Sequence, residues 1–164
     1  MDEKLKNTIH YIIDIKKIKD VTPKKLQKLL YYIYSWHMVL TAENSTDDEL
    51  KRSRIFNATF EAWVHGPVDR DVYNKYKEFG YDVIQKSGFE NVEFSLNEDE
   101  IDSINQVLEV YGDMNGNELE YLTHNETPWI NARGNVRPLD LCSTTLNDSI
   151  IYTCLLYTSP SPRD

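Results

Sequence analysis

The chain has 164 residues, 40% hydrophobic and 27% charged, which suits one packed domain and argues against wholesale disorder. No run approaches 18 apolar residues, the start MDEKLKNTIH is too polar for a signal peptide, and Cys142 and Cys154 form no C-x-x-C, so a soluble cytoplasmic protein without membrane span, disulfide scaffold or structural zinc is expected. The net charge of −9 is uneven: residues 1–40 hold eight Lys and four acids, and the remainder holds 10 basic and 23 acidic residues, a balance that repels phosphate backbones and favours basic partners.

In chain order, Leu5, Ile9, Ile12, Ile13 and Ile15 repeat mostly at helical spacing and predict a first helix over residues 3–18. Thr22-Pro23 opens a second, with Thr22 as N-cap and Pro23 at a position where its missing donor is harmless. Leu26, Leu29, Leu30, Ile33, Trp36, His37 and Leu40 cover a broad face, which places this helix centrally. Residues 43–54 read as a polar connection, and Ile55–Val64, rich in aromatic and β-branched residues, as a strand. Gly66-Pro67 is expected to break that strand and turn the chain into a helix from about Asp69 to Gly80. A short strand at Val92–Phe94 is expected to pair with Ile55–Val64. Asn97 and Glu100 form a capping-box pattern for a helix ending near Gly112, a short helix covers Glu118–His124, and Thr127-Pro128 repeats the earlier start signal. The class is α+β, predominantly helical with one small antiparallel sheet.

Chemistry is sparse. G-x-S-x-G, a P-loop, H-E-x-x-H and H-x-x-x-H are all missing, and Cys142 has no activating neighbour in sequence. His37, His65 and His124 could gather into one acid–base or metal site; the alternative is that each satisfies buried backbone groups at element ends, and that reading is preferred. Arg133 is positioned in sequence to pair with an acid such as Glu61. Eleven Tyr, three Trp and five Phe are a heavy aromatic load. Tyr31, Tyr32 and Tyr34 point in different directions around a helix, so either protein surrounds that helix or part of the stripe faces a partner. The candidate partner-binding residues are Tyr31, Tyr34, Trp36, His37, Trp63, His65, His124 and Trp129; no catalytic residue, metal or cofactor is expected. A second reading takes the Lys16–Lys28 cluster as a nucleic-acid patch, against the simpler view that these lysines are a solvated helix face.

Three ordered segments, TPKKLQKLLYYIYSWHMVL, FEAWVHGPVDRDVYNKY and LTHNETPWINARG, resemble the Panacea domain of SocA-like and phage-associated antitoxins, over about Thr8 to Tyr152. The resemblance implies a compact helical domain with a small sheet, acting as the non-enzymatic antitoxin of a toxin–antitoxin pair. It implies a cognate protein toxin encoded by an adjacent gene, neutralised by direct contact, and in some members delivery of the toxin to a protease. The last eleven residues, CLLYTSPSPRD, match a translation of transposon-end and adapter sequence used in short-read library preparation. The expectation is therefore one domain over residues 1–153, its last helix cut short, followed by an adventitious tail at 154–164.

Overall fold

In the computed structural model, which describes residues 1–157, there are eight α-helices and a two-stranded antiparallel sheet. The first helix, α1 (Glu3–His10), continues as a π-helical turn over Tyr11–Ile15, where the Lys16 N–H reaches back to the Tyr11 carbonyl at 2.8 Å. The helix at the centre, α2 (Pro23–Thr41), starts as its sequence requires: the Thr22 hydroxyl accepts from the Lys25 N–H, and Pro23 opens the first turn. Every residue from Lys25 to Val39 is buried. Of the two options for the tyrosine stripe, enclosure holds, because α1 and residues 66–76, 98–111, 116–124 and 148–156 all pack on α2.

The segment expected as a plain connection contains a helix, α3 (Asp47–Arg52). Its apolar content is a single buried Leu50, so hydrophobic periodicity is silent there. Thr46 caps Glu49, three acids occupy the first turn and Lys51 and Arg52 the last, so end electrostatics make this helix.

The expected strand at Ile55–Val64 is shorter, β1 (Phe60–Trp63), and Gly66-Pro67 does not end it. Those residues begin β2 (Gly66–Asp69), which returns beside β1 with Phe60 opposite Asp69 and Trp63 opposite Gly66. Val64 and His65 form the two-residue hairpin turn. Proline is tolerated because the outer edge of β2 is held by side chains of α2 instead of a strand. Asp69 then caps α4 (Arg70–Tyr76), which tightens into a 3-10 turn at Lys77–Phe79 before Gly80 at φ 57°.

Val92–Phe94 forms no strand with β1. The side-chain amide of Asn7 takes that extended segment instead, donating to the Glu93 carbonyl at 3.2 Å and accepting from the Ser95 N–H at 3.0 Å. The capping box at Asn97 and Glu100 starts α5 (Glu98–Tyr111), and a second, at Asn115 and Glu118, starts α6 (Gly116–His124) two residues earlier than its apolar pattern indicates. In α7 (Thr127–Arg133) the N-cap is Glu126, so Thr127 is already helical. The last helix, α8 (Asp148–Leu156), is capped by Asn147 and runs past Thr153, with Leu155 fully buried. The remaining adapter-like residues, 158–164, lie outside the described residues.

Candidate partner-binding surface

The hairpin turn sits over a cluster of charges supplied by α2 and α6. Lys28 passes beneath Gly66 and donates to the Pro67 carbonyl at 3.1 Å, and the preceding residue, Gln27, binds both backbone groups of Asp69. Gly66 is required twice: its φ is 106°, and a Cβ there would lie 2.7 Å from Lys28 Cε and 2.9 Å from Thr123 Oγ1. Lys28 is buried, and burial lowers its ammonium from 10.5 to about 7, with Glu120 opposing the shift.

Glu120 joins the cluster. Its Oε1 lies 2.7 Å from Lys24 Nζ, its Oε2 lies 3.2 Å from His65 Nδ1, and His124 Nε2 is 4.0 Å from Oε2. Partial burial would raise this carboxyl, but the bonds from Lys24 and His65 hold it below the usual carboxylate range. His124 lies flat on Trp129, ring centres 4.0 Å apart, and burial lowers its pKa against Glu120 and a backbone bond to Val64. Trp129 Nε1 donates to the Trp63 carbonyl at 2.8 Å, which fastens α7 to the hairpin. Trp63 itself is half-exposed, edge-on to Tyr73 at 4.8 Å with Arg70 over its ring.

The eight candidate residues therefore divide. Trp63, His65, His124 and Trp129 meet at the hairpin. Tyr31, Tyr34 and Trp36 are 1%, 3% and 0% exposed, so no partner touches them in this conformation. Tyr34 donates to Asp148 and Trp36 to the Tyr111 hydroxyl, which satisfies their polar atoms within the core. His37 is also apart from the other two histidines, bound to Ser103 Oγ at 2.8 Å between α2 and α5. Among the described residues no group of three or more His, Cys, Asp or Glu is arranged to hold a metal ion.

Arg133 does not pair with Glu61. It reaches the carbonyls of Ala62, Arg137 and Asp140 at 2.7–3.0 Å, while Glu61 binds Arg70 and the Trp63 indole. The lysine cluster is likewise turned inward in part. Lys25 donates to the carbonyls of Lys19 and Gly112, Lys28 is buried, and Lys24 is tied to Glu120, leaving Lys16, Lys17 and Lys19 exposed.

Beside the hairpin is an open groove of about 810 Å³, lined by Trp63, Val64, His65, Val68, Leu139 and Leu141. Leu139 and Leu141 are 85% and 94% exposed. Sequence reasoning missed both, although L-D-L after a proline was a visible pair of apolar residues without a helical repeat. It also missed Glu120, whose i,i+4 spacing to His124 was the available signal.

No helix among the described residues is long and apolar enough to cross a membrane. Neither a curated protein nor a solved structure matches the chain. The model of the family described as antitoxin SocA-like, Panacea domain, matches residues 26–130, from the central helix through the hairpin to the middle of α7. That is more than half of the sequence, and the chain belongs to this antitoxin family.

Proposed function

We propose that this protein neutralises a protein toxin, encoded by an adjacent gene, by covering it in the cytoplasm, and that it performs no reaction of its own. The observation that carries the reading is the groove at the hairpin, where Trp63, Leu139 and Leu141 expose apolar surface beside His65. Half-exposed tryptophans beside a hollow are the usual anchors of a protein interface. The acidic balance of residues 41–164, 10 basic against 23 acidic, favours a basic toxin, because opposite fields speed encounter and orient it. The domain is assigned to residues 1–153, with 154–164 derived from adapter sequence; resequencing the source locus tests that division.

The direct test is co-expression with the neighbouring gene's product. Growth arrest by that product, relieved by this protein, is the expected result. Trp63→Ala should weaken the complex by about 2 kcal/mol, measured by calorimetry. Absence of a toxic neighbour, or arrest that persists beside the intact protein, overturns the reading.

A further inference from the structure

Among the described residues, one edge of the small sheet has no hydrogen-bonded partner. Residues 144–146 lie beside β1 on the side away from β2: the Ala62 N–H donates to the Thr144 carbonyl and the Leu146 N–H to the Phe60 carbonyl, each at 2.9 Å, with Glu61 opposite Thr145. Backbone groups alternate in direction along an extended chain. Since residues 144 and 146 face β1, residues 143 and 145 turn their N–H and C=O groups outward. Among the described residues no backbone or side-chain group bonds to the N–H or C=O of Ser143 or Thr145, and both residues are exposed. The opposite edge is in a different condition, because Gln27 and Lys28 occupy the outward groups of Asp69 and Pro67.

Space flanks the free edge on both sides. The groove reaches Ser143, and a second hollow of about 450 Å³ reaches Thr145 and Asn147. Alternation places Ser143 and Thr145 on the face that also carries Glu61 and Trp63, and Leu141 lines the same groove as Trp63 and Ser143, so two apolar side chains lie beside the polar edge. A free, exposed edge with apolar side chains beside it is a template for another strand.

We propose that the Ser143–Thr145 edge receives an extended segment of the toxin as an added strand. This rests on the antitoxin reading for the partner's identity. The segment's main chain pairs with the outward groups of Ser143 and Thr145. Its alternate residues are apolar, to lie on Leu141 and Trp63, and those between them basic, to suit the −13 balance of residues 41–164.

The test uses Thr145→Pro, which removes one outward donor while the bonds to β1, made by Thr144 and Leu146, stay intact, with Thr145→Val as the control that keeps the donor. Two arms are run on the full chain. In the first, the neighbouring gene's product is the probe: wild type and Thr145→Val should neutralise it, and Thr145→Pro should bind it at least about tenfold more weakly at unchanged thermal stability. In the second, an alternating lysine–valine heptapeptide is the probe, and it should slow amide exchange at Ser143 and residue 145 by about tenfold in wild type and Thr145→Val, and leave exchange at Ser143 unchanged in Thr145→Pro, which has no amide hydrogen at 145. Full neutralisation by Thr145→Pro, or protection located elsewhere, overturns the strand addition and leaves the antitoxin reading standing. Failure of wild type to neutralise sinks the antitoxin reading, and the peptide arm then decides the edge alone. A wild-type dimer that Thr145→Pro dissolves assigns the edge to a second copy of this chain and also overturns the proposal.

Discussion

Gln27 holds Asp69 by both backbone groups: its Nε2 donates to the Asp69 carbonyl and its Oε1 accepts from the Asp69 N–H, each at 3.0 Å. A side-chain amide so placed does the work of a neighbouring strand, and it is buried. Asp69 is occupied in other directions as well, accepting from the Val72 N–H at 3.1 Å and the Thr59 N–H at 3.2 Å.

Gln27→Ala leaves two buried backbone groups without partners, which should destabilise the protein by about 2–4 kcal/mol. Gln27→Glu keeps the acceptor but loses the donor and buries a charge, so it should be at least as damaging. Urea unfolding of the three proteins side by side checks both expectations.

Gly66→Ala should destabilise by about 2–3 kcal/mol, combining the left-handed φ of 106° with the contact onto Lys28 and Thr123. Shortening the lysine in a Lys28→Ala background removes the closest contact, 2.7 Å to Cε, but not the backbone strain. The double-mutant cycle should therefore show a favourable coupling at these neighbouring sites. Additive losses would mean that the contact onto Lys28 contributes nothing, leaving the backbone angle and Thr123 as the grounds for the glycine.

Burial raises the Glu126 carboxyl from 4.5 to about 7, although the Tyr32 hydroxyl donates to it. The folded chain therefore holds a proton that the unfolded chain releases between those values. This contribution to stability is fully present below about pH 4.5 and is lost as pH rises to about 7. Glu126→Gln, which keeps an acceptor for Tyr32, should leave stability unchanged at pH 4 and raise it by about 3 kcal/mol at pH 8. Chemical denaturation at the two pH values is the measurement.

Lys28 gives the opposite slope. Its folded ammonium titrates near 7 against 10.5 when unfolded, so the unfolded chain binds the extra proton within that window. Stability then rises with pH from about 7 to 10.5, and below 7 the burden is constant. Lys28→Met should flatten that rise, up to about 5 kcal/mol of it, while leaving the Pro67 carbonyl without its donor. A variant that retains the full slope would place the titration on another group.

The sequence displayed its helices wherever a cap and an apolar repeat coincided: Thr22 before Pro23, and Asn97 with Glu100 before Ile101. It hid α3, which has a cap but only one buried apolar residue. The sheet was the harder part. Phe60 and Ala62 alternate with Glu61 and Trp63 as a strand should, yet the partner of β1 could not be read, because Gly66-Pro67 carries the letters of a break. What makes that dipeptide a strand is Gln27 and Lys28, about forty residues away in sequence. The same limit applied to Val92–Phe94, whose extended backbone is taken by Asn7. Of the candidate surface, Trp63, His65, His124 and Trp129 could be singled out in the sequence, but their meeting at the hairpin could not be read. Leu139 and Leu141 could not be singled out, since exposure depends on which neighbours fail to arrive.

The anchoring of Asp69 by Gln27, Thr59 and Val72 has an outcome for the stretch that precedes the hairpin. Position and tilt of the two strands are set from the central helix, so residues 43–48 are free of that duty. Extra letters inserted between Ala42 and Glu43, ahead of the Thr46 cap of α3, would lengthen the connection and leave Trp63 and Thr145 where they stand.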